Sequence, residues 1–160
     1  MGDMADDLHS NTVVVGWREW VGLESIGVPW IKVKVDTGAR SSALHAFDVE
    51  ELPGNRVRFK VHPWQDTDAD AIEVECDIHD RRVVRSSSGH TEERIVVLLD
   101  LALAGRTVAA ETTLSNRDQM GFRMLVGREA LRQGFVVDPG RSFLGGRAPR
   151  DVRRRNRGRA

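Results

Sequence analysis

The chain has 160 residues, enough for one buried core and one domain. Lys plus Arg and Asp plus Glu each number 24, so a net charge of zero removes any whole-protein argument for nucleic acid or an acidic membrane. A single cysteine, Cys76, excludes an internal disulfide framework and a four-cysteine zinc site, and it suits a reducing compartment.

The charge is uneven along the chain. Residues 1–11 hold Asp3, Asp6 and Asp7 and no Lys or Arg. Residues 147–160 hold seven Arg (147, 150, 153, 154, 155, 157, 159) and one acid, Asp151. Neither stretch has the apolar content to build a core, so both are expected to be disordered. The expected organisation is an acidic tail (1–11), one folded domain (12–146) and an Arg-rich tail (147–160). Met1–Asn11 has neither the basic patch nor the apolar run of a signal peptide. The longest apolar runs, such as Ile95–Leu99, are far short of a membrane span. A cytoplasmic location without membrane contact is the expectation.

Within the body the apolar period is two. Ile31, Val33 and Val35 alternate with Lys32 and Lys34, and Val57, Phe59 and Val61 with Arg56, Arg58 and Lys60. Ile72, Val74, Cys76 and Ile78 alternate with Glu73, Glu75, Asp77 and His79. Each stretch predicts a strand with one buried and one wet face. Ile95–Leu101 is a longer apolar run, expected to be covered on both sides. Pro53-Gly54-Asn55 and Gly105-Arg106 predict hairpin turns. Arg128–Arg132, between Gly127 and Gly134, predicts the one helix. Eight to ten short strands with one short helix make an all-β protein, and small antiparallel sheets of this kind close into barrels.

The alternating strand Val33-Lys34-Val35 runs straight into Asp36-Thr37-Gly38-Ala39. Gly38 permits a tight turn in which backbone N–H groups approach the Asp36 carboxylate. The Thr37 hydroxyl can brace the loop, and Ala39 is small enough for a substrate backbone to pass. A carboxylate fixed at the end of a rigid strand is a candidate to activate water. The alternative is an ordinary Asp at a β-turn. A second segment, Met124-Leu125-Val126-Gly127-Arg128-Glu129-Ala130-Leu131, follows about 90 residues later.

Asp36-Thr37-Gly38-Ala39 with a later apolar-apolar-Gly-Arg-x-x-Leu resembles the retropepsin-like aspartic proteases. The similarity is closer to a bacterial branch labelled ATP-dependent zinc proteases and associated with RimK-type ATP-grasp ligases, which add glutamates to a ribosomal protein. Lys34–Ala46, Arg85–Gly89, Glu92–Arg94, Thr113–Arg117, Leu125–Arg128 and Val137–Pro139 carry that similarity. It implies a closed retropepsin-like β-barrel, with the apolar-apolar-Gly strand threading behind the catalytic loop and a short helix after it. It also implies a catalytic role for Asp36, Thr37 and Gly38. Ala39, Arg40, Ser88, Gly89 and Arg94 are the expected substrate-binding residues, and the implied substrate is a peptide or protein, such as a glutamate-tailed ribosomal protein.

The residues do not carry the label's zinc or ATP. The three lysines (32, 34, 60) are each followed by Val, so no P-loop is present. His-Glu-x-x-His is absent. Cys76-x-x-His79 has ligand spacing, but strand alternation sends the two side chains to opposite faces. Asp36 with His45 is a second metal candidate, set against a packing role for His45. The expectation is therefore no cofactor, with zinc as the alternative.

One Asp-Thr-Gly supplies half of an aspartic site, because the mechanism needs two carboxylates sharing one proton. A second copy must supply the other, which requires a two-fold homodimer with Asp36 at its axis, and the resemblance implies that the Thr37 hydroxyls brace the two loops across it. Ser86–Thr91 or the acidic loop 62–70 could cover the site; the alternatives are a plain hairpin tip for the first and a solvated surface loop for the second. Arg40 and Arg94 could bind carboxylates or hold loops, and a structural role is the stronger expectation for Arg117 and Arg128. The Arg-rich tail could contact RNA or serve as a solubilising end. Trp17, Trp20 and Trp30 are expected in core or interface packing. Three functions remain distinct: an aspartic-type peptidase, a zinc peptidase on the same fold, and a non-catalytic module that binds peptides or ribosomal components.

Overall fold

The computed structural model describes residues 11–85, 88–116 and 121–159. In chain order the first strands are β1 (Val13–Gly16), β2 (Arg18–Leu23), β3 (Val28–Val35), β4 (Ser42–His45), β5 (Phe47–Leu52) and β6 (Arg56–Val61). They are followed by β7 (Ile72–Asp77), β8 (Asp80–Arg85), β9 (Thr91–Leu103), β10 (Arg106–Ser115) and β11 (Met124–Val126). Helix α1 (Arg128–Leu131), β12 (Phe135–Asp138) and helix α2 (Arg150–Asn156) complete the chain, and a 3₁₀ turn (Glu24–Ile26) joins β2 to β3.

The expected all-β class holds. The main sheet runs β10-β4-β11-β3-β2-β9-β8, and β9 also pairs with β10, so six strands form a closed ring of ladders. A three-stranded meander, β5-β6-β7, and a two-stranded ribbon, β1-β12, lie outside it. The described residues hold twelve strands rather than eight to ten. The expectation of antiparallel pairing fails for three ladders: β1 with β12, β10 with β4, and β11 with β3 are parallel. A side-chain period of two is the same in either orientation, so alternation cannot distinguish them.

Periodicity places the core as expected. In β6 Val57, Phe59 and Val61 are fully buried between half-exposed Arg56, Arg58 and Lys60. In β3 Ile31, Val33 and Val35 face the core. Burying a side chain of this size contributes about 1.5–3 kcal/mol. The turn at Pro53–Asn55 forms, with Gly54 and Asn55 at φ +83° and +59°, the left-handed conformations for which Gly and Asn are suited. In β9 the apolar run is not covered on both sides throughout: Val97, Leu99, Leu101 and Leu103 are buried while Leu98 is 48% exposed.

The expected C-terminal disorder is corrected. Residues 150–156 are helical, and Ala148, Val152 and Asn156, at four-residue spacing, are buried. Ala148 and Val152 pack with Trp20 and Trp64 in a second apolar cluster, which Trp30 and Phe143 border. Trp20 and Trp30 meet edge to face at 6.5 Å. An i, i+4, i+8 stripe suffices to dock a short helix, and the high arginine count around it hides that stripe. No helix among the described residues is long and apolar enough to cross a membrane. The expected acidic tail lies almost wholly outside the described residues.

Candidate active site

Asp36 follows the last residue of β3. β11 runs parallel to β3, with Met124, Leu125 and Val126 opposite Val33, Lys34 and Val35. The same short strand pairs antiparallel with β4, Met124 opposite Leu44 and Leu125 opposite Ala43. β11 thus lies between the strand entering the Asp36 loop and the strand leaving it. The Asp36 N–H donates to the Val126 carbonyl at 2.9 Å. Its Oδ1 accepts the Gly38 N–H at 2.9 Å, and the Ala39 N–H donates to the Asp36 carbonyl at 3.3 Å. Asp36 as a residue is half-buried, while Thr37 and Gly38 are exposed.

Gly127 fastens this loop from behind. A Cβ on Gly127 would lie 2.5 Å from the Ser41 carbonyl oxygen and 2.9 Å from that of Ala39. Only glycine permits so close an approach of two backbones. The N–H groups of Arg128 and Glu129, opening α1, donate to the carbonyls of Ala39 and Arg40 at 2.8 and 2.9 Å. The Gly127 N–H donates to Oγ of fully buried Ser42 at 3.1 Å. Arg128 Nη1 donates to the Gly38 carbonyl at 3.2 Å, a structural role. Ser42 lies in the signature stretch, but its hydroxyl is identified as the loop's anchor only by the fold.

Beyond the loop a charge network appears that sequence reading missed. Arg82 of β8 donates to Ser41 Oγ at 3.0 Å, to Glu111 at 2.8 Å and to Asp80 at 2.9 Å. His79 Nε2 lies 3.6 Å from Glu111, and the Glu111 N–H donates to Glu129 Oε1 at 2.8 Å. The Arg82 hydrogen bond holds the Glu111 carboxyl below the usual carboxylate range, against the opposing effect of burial. No local pattern joins Arg82 to Glu111, 29 residues away. Arg40, Arg128 and Arg132 line, with Glu111 and Glu129, a cleft of about 400 Å³ beside the loop. Among the described residues the Arg40 and Arg132 side chains make no ion pair.

The remaining candidates are scattered. Ser88 and Gly89 are exposed at the end of the β8–β9 hairpin, whose Ser86 and Ser87 lie outside the described residues, as does Arg117. Arg94 sits opposite Arg82 in the ladder, with its guanidinium 3.5 Å from Glu92. Loop 62–70 is not a freely solvated loop. Trp64 is buried, and Arg123 donates to the Trp64 carbonyl at 2.9 Å and to Asp68 at 2.8 Å. The Gln65 N–H donates to Asn156 Oδ1 at 2.8 Å, tying the loop to α2. His45 is fully buried, its ring stacked 5.5 Å from His62 and 6.0 Å from Phe47, which is the packing role. Cys76 borders the main core, where burial pushes its thiol pKa up, whereas His79 faces Glu111. Among the described residues no group of three or more His, Cys, Asp or Glu is placed to hold a metal ion.

The loop, its threading strand and the helix behind them invite comparison with known proteins. A family model described as "RimB-like: Retropepsin-like aspartic endopeptidase RimB" matches residues 14–148. The chain belongs to this family. Family membership thus supports the retropepsin-like resemblance but not the zinc protease label. Proteins named "Probable alpha-L-glutamate ligase" are similar as well. The one from Shewanella pealeana is 39% identical over 139 residues, 85% of this chain and 30% of that protein. The one from Parasynechococcus marenigrum is 42% identical over 130 residues, 79% of this chain and 28% of that protein. The chain therefore spans less than a third of these relatives. A solved Legionella pneumophila protein titled as of unknown function, Lpg0085, matches with a TM-score of 0.69 and 26% identity. It covers 83% of this chain and 98% of its own.

Proposed function

We propose that the chain is an aspartic-type peptidase in which two copies each contribute Asp36, and that it hydrolyses amide bonds in acidic, glutamate-bearing peptides. The observation that carries this reading is the fastening of Asp36. Its backbone is locked to Val126, its carboxylate oxygen to Gly38, and the loop behind it to Gly127 and α1. So rigid a mounting suits a reacting carboxylate, because small displacements are costly in rate.

Two such carboxylates cannot both ionise at close range, so the pair holds one proton. The ionised member takes a proton from the water held between them as the water oxygen attacks the amide carbon. The protonated member gives its proton to the carbonyl oxygen. Collapse of the tetrahedral intermediate breaks the C–N bond as the amide nitrogen takes the proton held by the first carboxyl and the second carboxylate takes one back from a hydroxyl, leaving a carboxylic acid, an amine and a pair that again holds one proton. Thr37 and Gly38 are exposed, as a loop meeting its own copy across a two-fold axis requires. Arg40 and Arg132, which make no ion pair among the described residues, offer guanidinium groups to substrate carboxylates in the adjoining cleft. The relatives named as glutamate ligases support glutamate as the residue recognised.

Mass spectrometry of glutamate-extended peptides incubated with the chain tests this. Cleavage is expected from the wild type, with loss in Asp36→Asn while sedimentation still reports a dimer. Full activity in Asp36→Asn, or activity abolished by a chelator and restored by zinc, would overturn it. Binding without any change of mass would favour a non-catalytic module.

A further inference from the structure

The C-terminal arginines acquire a place once α2 is docked. Burial of Ala148, Val152 and Asn156 brings Arg147, Arg153 and Arg157 beside Arg18 of β2 and Lys32 of β3. The five cations border one cleft of about 130 Å³, with Trp20, Phe143 and Asn156. Aromatic rings interleave with these charges. The Arg18 guanidinium stands 4.8 Å from the Trp17 ring centre and 5.0 Å from that of Phe143. The Lys32 ammonium is 5.6 Å from Phe143 and 5.9 Å from Phe122. Arg147 lies 5.2 Å from Phe143, and Trp17 meets Phe122 edge to face at 6.0 Å. Trp17, Phe122 and Phe143 are each only half-buried.

Asp66 offsets only part of this cluster, which no close ion pair among the described residues neutralises. Among the described residues none of the five cations makes an ion pair, and Arg153 Nε is buried without a hydrogen-bond partner. Burial first, and then the charge of Arg18, lower the proton affinity of Lys32. Arg157 and Arg147 act the same way, and Asp66 opposes them. A chain of zero net charge has here gathered like charges around half-buried rings, an arrangement that an external polyanion would relieve.

We propose that this surface binds single-stranded nucleic acid. Arginines and a lysine supply phosphate contacts, and the half-exposed rings and guanidinium planes supply stacking faces for unpaired bases. An acidic peptide would use the charges but has no group for the rings, which is why nucleic acid is the better match. Lys32 precedes Asp36 by four strand residues, roughly 13 Å at the rise of a strand, so the surface lies beside the peptidase loop and does not depend on it.

Fluorescence anisotropy of labelled oligo(U) and oligo(dT), each about twelve nucleotides long, titrated with the full chain tests this. Binding of either strand is expected, weakening with added KCl at a log–log slope of about −3, as four or five phosphate contacts require. The double reversal Arg147→Glu with Arg157→Glu should weaken binding at least tenfold. Arg85→Glu, an exposed arginine on β8, should change it less than twofold. Should the double reversal melt early, Arg147→Gln with Arg157→Gln takes its place, with the same direction expected. No anisotropy change up to about 100 µM protein, the weak limit of non-specific binding, would overturn the proposal. So would undiminished binding by the double variant, or displacement of the strand by a glutamate peptide that binds more tightly than the strand.

Discussion

Alanine at position 127 should unfasten the Asp36 loop. The added methyl would sit 2.5 Å from the Ser41 carbonyl oxygen, 2.6 Å from the Ser41 carbonyl carbon and 2.9 Å from the Ala39 oxygen, all backbone atoms with no flexible side chain to swing away. Gly127 has φ −93°, so alanine brings no dihedral penalty and the effect is purely steric. Relief requires the Ala39–Ser41 segment to part from the start of α1. That parting stretches the bonds from Arg128 N–H to Ala39 and from Glu129 N–H to Arg40, now 2.8 and 2.9 Å. Overpacking costs about 1–3 kcal/mol, and each lost hydrogen bond adds about 0.5–1.5 kcal/mol. The sum is about 2–6 kcal/mol, a fall in melting temperature of roughly 5–20 °C for a domain of this size. Urea unfolding followed by tryptophan fluorescence measures the stability, and peptide cleavage measures the loop. Hydrolysis should fall about a hundredfold, because a 1 Å misplacement costs that much. Gly121→Ala is the control, since a Cβ there meets nothing within 4 Å, and it should shift stability by less than about 0.5 kcal/mol. A Gly127→Ala protein that melts like the wild type would refute the close-approach account.

Three further outcomes follow from the same geometry. The Glu111 carboxyl titrates below its unfolded value, so its stabilisation is complete above the ordinary carboxylate range and lost as pH falls through the lowered folded value. Glu111→Gln should therefore flatten the acid limb of a stability–pH profile, and an unchanged limb would refute the Arg82 pairing. Fully buried Glu19 accepts the N–H groups of Gly16 at 2.7 Å, Leu144 at 2.9 Å and Gly145 at 3.0 Å. Glu19→Ala leaves three donors without their acceptor and should cost about 3–5 kcal/mol in urea unfolding; a loss under about 1 kcal/mol would contradict this. Ending the chain at Arg147 removes Val152 and the Asn156 contacts with Gln65 and Asp66. It should cost about 2–4 kcal/mol and shift tryptophan emission to the red as Trp20 and Trp64 meet water; an unaltered spectrum would return residues 148–160 to the status of a free tail.

What the sequence determined by itself is local. A period of two marked β3, β6 and β7, and the Gly54-Asn55 pair marked a turn whose left-handed backbone suits those residue types. Gly127 and Gly134 bounded a helix, and Asp36–Ala39 stood out because strand, acid and glycine are consecutive. Tertiary structure decided everything that joins distant segments. It set the parallel pairing of β11 with β3, the reach of Arg82 to both Ser41 and Glu111, and the capture of Leu144 and Gly145 by Glu19. It also decided that an arginine-rich end would dock through Ala148, Val152 and Asn156 and set Arg147 against the ring of Phe143. Backbone preference and side-chain period act over a few residues, whereas a hydrogen bond between positions 19 and 144 exists only after the chain has closed its sheets, and no short window of sequence contains both partners.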